Sequence, residues 1–223
     1  MIDAAIDVRG LSKSFVLHLR GGARIEALRS VDLRVAPGEC VALAGPSGVG
    51  KSTLMRCVYG NYRADSGRVL VRHGGAMVDI ASAPPREVID VRARSLGYVS
   101  QFLRVVPRVP CLDIVADGRD PDAARALLDR LNIPARLHAL PPATFSGGEQ
   151  QRVNLARGFL AAQPIMLLDE PTASLDAANR AVVVEMILEA KARGAAILAI
   201  CHDAEVRDAI ADRLHHLEPA REA

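Results

Sequence analysis

The sequence predicts an α/β fold in which a mostly parallel core sheet is covered by helices. Three observations carry this reading. The run "CVALAG" (40–45) is almost wholly apolar, as suits a strand covered on both faces, and it feeds a glycine-rich loop and then a helical stretch, "STLMRCVYG". Three more strand-like runs, "LGYVS" (96–100), "IMLLD" (165–169) and "AAILAIC" (195–201), look central. Helical patterns at 122–132, 149–162 and 178–192 separate these runs, and strands alternating with helices are what a parallel, helix-covered sheet requires.

The first third reads as half-buried strands. Ile6 and Val8 alternate with polar neighbours, as do Val31, Leu33 and Val35, then Val69 and Val71, then Val78 and Ile80. Turn signals divide them: "RGG" (20–22), "APGE" (36–39), "DSG" (65–67) and "HGG" (73–75). Gly60 is placed to cap the C-terminus of the first helix. The segment 107–162 holds two helices and prolines at 107, 110, 121, 134, 141 and 142, with few strand signals. It reads as a helical subdomain inserted in the core, so residues 1–223 form a single domain.

At 223 residues the chain can bury a sizeable core, and 50% hydrophobic with 24% charged residues excludes disordered and fibrous classes. Net charge is +2, from 28 basic and 26 acidic residues, and no long basic run points to a nucleic-acid partner. Cys40, Cys57, Cys111 and Cys201 lie far apart with no C-x-x-C pair, which suits buried, reduced thiols of a cytoplasmic protein rather than disulfides or a metal site. The N-terminus "MIDAAIDVRG" is acidic where a secretion signal is basic and apolar. No apolar run approaches the ~20 residues that cross a bilayer, so a membrane partner would be another chain.

"GPSGVGKS" fits G-x-x-x-x-G-K-[ST] at Gly45, Gly50, Lys51 and Ser52, between a buried strand and a helix. Glycines let the backbone N–H groups of the loop (Gly45, Ser47, Gly48, Val49 and Gly50; Pro46 shapes the turn but has no N–H) turn onto an anion, and the helix N-terminus adds positive charge. Lys51 would reach the β- and γ-phosphates, the Ser52 hydroxyl would ligate Mg²⁺, and Thr53 would contact the α-phosphate. In "IMLLDEPTASLD", Asp169 and Glu170 stand where a buried strand runs out, the edge at which α/β folds bind ligands. Asp169 would help hold Mg²⁺, directly or through a water, and Glu170 would polarise an attacking water.

A second phosphate-type turn follows in "FSGGEQQRVNLARGF" (145–159). Ser146 and Glu149 form a helix capping box, ahead of an apolar face at Val153, Ala156, Phe159 and Leu160. Gly147 and Gly148 weaken such a turn unless something approaches the backbone closely. With only one phosphate loop and one acid pair in the chain, this turn is expected to close over a nucleotide held by a second subunit, in a dimer with two shared sites.

The sequence resembles the ATP-binding cassette (ABC) ATPases over essentially its whole length. The phosphate loop at 45–53, "YVSQF", "FSGGE", "IMLLDE", "SLD" and "ICHD" occur in the family's order. The signature turn departs from its commonest form at Phe145 (for Leu) and Glu149 (for Gln). The resemblance implies the P-loop NTPase ABC ATPase fold, with an N-terminal antiparallel β subdomain and a helical subdomain, and ATP and Mg²⁺ as cofactors. It implies Gln101 as a sensor and Mg²⁺ ligand, Glu170, His202 and Lys51 as catalytic groups, Asp176 as a dimer contact and Phe15 as the ring that stacks on adenine. Ser146, Gly147, Gly148 and Glu149 would act on the neighbour's nucleotide. The other histidines, His18, His73, His138, His215 and His216, show no metal-ligand spacing and are expected to be solvated. Within the family, "KSFVLH", "SQFLRVVPRV" and "LLDEPTASLDAANRAVVVE" are similar to the ATPase subunit of the bacterial carbon–phosphorus lyase system. That implies a soluble partner complex making ribose 1-phosphonate 5-triphosphate. The alternative is the ATPase subunit of a membrane transporter of the lipoprotein-releasing or macrolide-exporting kind, paired with itself or with a sister chain.

Overall fold

The computed structural model describes residues 4–17, 22–101 and 107–219. Its centre is a five-stranded sheet. β3 (Cys40–Ala44), β6 (Leu96–Val99), β7 (Ile165–Asp169), β8 (Ala196–Ile200) and β9 (Arg213–His216) lie in the order β6-β7-β8-β3-β9, and every neighbouring pair is parallel. All five positions of β7 and of β8 are buried, which explains why both read as unbroken apolar runs. The two-residue period of a strand still sorts their side chains. Met166, Leu168, Ile197 and Ala199 join one core cluster, while Ile165, Leu167, Leu198 and Ile200 join the other.

The second cluster lies beneath an antiparallel sheet ordered β2-β1-β4-β5, built from β1 (Ile6–Leu17), β2 (Ala23–Val35), β4 (Ser66–His73) and β5 (Ala76–Asp79). In its register Ile6 faces Val35 and Val71, and Val8 faces Leu33 and Val69, so the alternating positions form one buried face. Between the sheets runs α1 (Lys51–Val58), whose Leu54, Met55, Cys57 and Val58 are buried. It ends as its glycine signals: the N–H of Gly60 bonds to the Cys57 carbonyl at 3.0 Å and that of Asn61 to the Arg56 carbonyl at 2.8 Å.

On the other face, between β6 and β7, lie α3 (Cys111–Ala116), α4 (Pro121–Arg130) and α5 (Gly147–Ala161), with 3₁₀ turns at Ala135–Leu137 and Pro142–Thr144. Pro121 occupies the first turn of α4 behind an Asp120 cap, a position where a missing N–H costs nothing. Val115, Leu128, Leu131, Ile133 and Val153 are fully buried among these elements. α2 (Pro85–Arg94), α6 (Ala177–Ala192) and α7 (Ala204–Ile210) complete the chain.

α2, α3, α7 and β9 are absent from the sequence reading. α2, "PREVIDVRAR", buries only Val91, so its apolar period is faint. β9, "RLHH", is an edge strand with mostly exposed side chains and carries no apolar run.

Candidate nucleotide-binding site

β3 ends at Ala44 and the chain turns through the glycine-rich loop into α1. Gly50 has φ 106°, and a β-carbon there would stand 2.4 Å from the Ala27 carbonyl oxygen and 2.9 Å from Leu28 Cδ2. Only glycine fits. The helix it opens has no side-chain cap and no acid in its first turn. By contrast α4, α5, α6 and α7 are capped by Asp120, Ser146, Asp176 and Asp203. The first N–H groups of α1 therefore face outward without a side-chain acceptor, which is the arrangement an anion completes. Lys51 folds across this turn and donates from Nζ to the carbonyls of Gly45 at 2.8 Å and Pro46 at 2.9 Å.

A cavity of 280 Å³ opens over the turn. Ser47, Gly48, Gly50, Lys51, Ser52 and Thr53 form its floor, and Glu170, Ile200 and His202 its wall. β7 and β8 deliver that wall from their C-terminal ends, as an open parallel sheet does. Glu170 adopts the left-handed conformation, φ 53°, and its N–H bonds to the Ile200 carbonyl at 2.9 Å. Such a conformation costs a non-glycine residue about 1–3 kcal/mol and is retained where the surroundings fix it. Its carboxylate lies between two side chains: Oε1 is 2.9 Å from His202 Nε2, and Oε2 accepts from Gln101 Nε2 at 3.3 Å. Asp169, one residue earlier, is buried and accepts a hydrogen bond from the Tyr98 hydroxyl at 2.8 Å.

Four of the sequence-predicted groups thus converge: the loop with Lys51 and Ser52, the acid pair, Gln101 and His202. Phe15 does not line the cavity. Its ring meets Tyr62 edge-on at 5.2 Å, with Lys13 Nζ 5.4 Å from its centroid. The turn Ser146–Glu149 does not line it either. There the capping box is complete: Ser146 Oγ accepts from the Glu149 N–H at 3.4 Å and donates to Glu149 Oε2 at 2.7 Å, and that carboxylate accepts from the Ser146 N–H at 2.8 Å. The Ser146 hydroxyl and N–H hold Glu149 below the usual carboxylate range. Asp176 caps α6 by accepting from the Asn179 N–H at 2.8 Å.

Several expectations need correction. A β-carbon on Gly148 would come within 2.9 Å of the Ser174 carbonyl, so a close approach to that glycine exists inside the chain itself, whereas one on Gly147 would meet nothing within 4 Å. His138 is buried, with Nε2 3.0 Å from the Ile133 carbonyl. His73 bridges Ser95 at 2.8 Å and Asp90 at 2.9 Å, so neither histidine is solvated. His18 lies outside the described residues. The cysteines are structural: burial pushes the Cys40, Cys111 and Cys201 thiols to about 12 and Cys57 to about 11. Tyr98 is the site residue that sequence reasoning missed, because an aromatic in a short apolar strand reads as core.

Magnesium fits this donor set. Among the described residues no group of three or more His, Cys, Asp or Glu could hold a metal unaided. Mg²⁺ characteristically takes one or two protein oxygens and completes its shell with substrate phosphates and water. A buried strand, an uncapped glycine turn with its lysine, and an acid pair at the end of a parallel strand one removed from it in the same sheet define a P-loop nucleoside triphosphatase.

A profile of the ABC transporter family matches residues 28–173, and the chain belongs to that family. It is 34% identical over 228 residues to the lipoprotein-releasing system ATP-binding protein LolD of Syntrophotalea carbinolica, covering 98% of this chain and 96% of the relative. With LolD of Shewanella oneidensis it shares 36% over 213 residues (91% and 89%). The macrolide export ATP-binding/permease protein MacB of Sodalis glossinidius is 32% identical over 92% of this chain, which spans 32% of that protein. Among solved structures, the dimeric structure of MJ0796, a bacterial ABC transporter cassette, superposes with a TM-score of 0.84 at 25% identity, covering 95% of this chain and 94% of that one. A dimeric post-hydrolysis state of the same cassette bound to ADP and Pi gives 0.83 at 24% identity, over 96% and 94%.

The protein is accordingly an ABC-type ATPase that uses ATP with Mg²⁺. The narrower resemblance to the carbon–phosphorus lyase subunit finds no support in these relatives, which belong to lipoprotein-releasing and macrolide-export systems.

Proposed function

We propose that this chain is the ATPase subunit of an ABC membrane transporter of the lipoprotein-releasing or macrolide-export kind. One observation carries the reading: the near end-to-end match to lipoprotein-releasing ATP-binding proteins, 98% of this chain against 96% of the relative. Lipoprotein-releasing relatives named as ATP-binding proteins are matched almost end to end, and on that likeness the permease would be a separate chain, with this subunit on its cytoplasmic side. Two ATPase subunits, identical or sister chains, would share the nucleotides at their seam.

The loop N–H groups and Lys51 would bind the triphosphate, with Lys51 exchanging its two carbonyl partners for phosphate oxygens. Magnesium held by Ser52, Asp169 and Gln101 would neutralise charge on the β- and γ-phosphates. Glu170, fixed between His202 and Gln101, would orient water and take its proton, a contribution of about 10²–10⁴-fold. His202 steadies that carboxylate at the cavity wall. Ser146, Gly147 and Gly148 would close over the neighbour's γ-phosphate, and Asp176 would lie at the contact between subunits. Phe15 would stack on adenine, beside Tyr62.

A tagged copy of the chain, purified in detergent from its native cells, tests the reading. Recovery with an integral membrane permease is the expected result. Recovery solely with a soluble multi-subunit complex would overturn it.

A further inference from the structure

Tyr98 lies on the edge strand β6, with β7 and β8 between it and the strand that feeds the phosphate loop, and its hydroxyl donates to Asp169 Oδ2 at 2.8 Å. Asp169 is only 6% exposed, so water does not readily substitute for that bond. A carboxylate swings broadly about its last torsion unless something holds it. The tyrosine is itself held: its ring packs on Tyr59 at 5.0 Å, and the Arg92 guanidinium covers Tyr59 at 4.4 Å. Arg92 in turn donates to the Tyr59 carbonyl at 2.8 Å and to Asn61 at 3.1 Å. The chain of contacts runs from α2 through α1 to β6 and stops on one oxygen of one carboxylate.

We propose that Tyr98 is a positioning residue for the metal site: by engaging Oδ2 it fixes the plane of the Asp169 carboxylate and presents Oδ1 to magnesium or its bound water. This deepens the functional reading above and rests on its placing of Asp169 beside the metal. Outer-sphere hydrogen bonds that orient a ligand carboxylate characteristically govern metal affinity. The ring and the hydroxyl do separate jobs. The ring fills space between Tyr59 and the sheet; the hydroxyl alone reaches the carboxylate.

That separation gives the test. In a Glu170→Gln background, chosen because slowed hydrolysis is expected to preserve bound ATP, Mn²⁺ binding is measured by electron paramagnetic resonance, alongside ATP binding in EDTA. Tyr98→Phe keeps the ring and is expected to weaken Mn²⁺ binding about tenfold while leaving metal-free ATP affinity unchanged. Tyr98→Leu, which removes the ring as well, is expected to lose no more Mn²⁺ affinity than Tyr98→Phe. If Tyr98→Phe binds Mn²⁺ like its parent while Asp169→Asn does not, the positioning role is refuted. If Asp169→Asn also binds Mn²⁺ normally, the assignment of Asp169 itself fails, and this proposal with it.

Discussion

The two adjacent glycines at the start of α5 allow a test that separates packing from recognition. A methyl group on Gly148 would lie 2.9 Å from the Ser174 carbonyl oxygen, closer than a carbon approaches an oxygen, whereas one on Gly147 meets nothing within 4 Å. Neither residue has a left-handed φ, so alanine brings no backbone strain at either position. Gly147→Ala should therefore stabilise the isolated subunit, by up to about 0.5–1 kcal/mol from helix propensity, or about 2 °C in thermal midpoint for a chain of this size. Gly148→Ala must push α5 away from the Ser174 loop, an overpacking of about 1–3 kcal/mol that outweighs the same gain and lowers the midpoint by roughly 3–6 °C. Differential scanning fluorimetry reads both shifts. In a Glu170→Gln background, ATP-dependent dimers are then followed by size-exclusion chromatography with light scattering. Gly147→Ala should weaken the dimer by roughly 5- to 150-fold, the equivalent of about 1–3 kcal/mol, because its methyl occupies the space over which the partner's triphosphate would sit. A Gly147→Ala protein that dimerises with its parent's ATP dependence would refute the shared site.

Three further outcomes are expected. Glu170→Gln should slow hydrolysis by about 10²–10⁴-fold while an ATP-bound dimer still forms; undiminished turnover in a phosphate-release assay would remove Glu170 from its role. Lys51→Ala should weaken ATP binding by roughly 10- to 100-fold, the loss of charge-assisted bonds of about 1.5–3 kcal/mol, and calorimetry showing unchanged affinity would contradict the placing of the phosphates. Acid should destabilise the fold with a defined sign. Arg9, opposed by burial and aided by Arg34, holds Asp7 below its ordinary 3.8, and Arg180 does the same for Asp203. Folding then releases protons from these groups: their stabilisation is complete above the unfolded value and is lost as pH falls through the lower folded values. Thermal midpoints should fall on acidification from pH 5 to pH 3, less steeply in Asp7→Asn, and a midpoint rising over that interval would contradict the assignment.

What the sequence disclosed followed from how each element is covered. β3, β7 and β8 are buried on both faces and read as continuous apolar runs, while Ile6, Val8, Leu33 and Val35 sit in a one-sided sheet and read as alternation. β9 and α2 were invisible because the first is a polar edge and the second buries one residue. The phosphate loop was legible because backbone geometry restricts Gly50 to glycine, and such restriction leaves a mark in the sequence. The Tyr98–Asp169 bond was not legible, since it joins residues 71 positions apart through a side chain whose type also suits plain packing. His138 and His73 were misjudged for the same reason: their partners, the Ile133 carbonyl, Ser95 and Asp90, are set by tertiary structure.

The two glycine-rich turns look alike in sequence and differ physically. At α1 the chain provides no acceptor for its first N–H groups and places Lys51 across them. At α5 it provides its own anion, the Glu149 carboxylate bound by Ser146. A phosphate arriving at α5 therefore meets a like charge a few ångströms away, and closure is favourable only where cations outweigh that repulsion. Arg152 and Arg136 both act on Glu149, and Arg152 Nε is buried without a hydrogen-bond partner. The first turn can hold a triphosphate with its own groups. In the proposed dimer the second would become attractive to one only when that triphosphate arrives already neutralised by a lysine and a magnesium ion in another subunit's cradle, which would tie subunit closure to a fully loaded partner site.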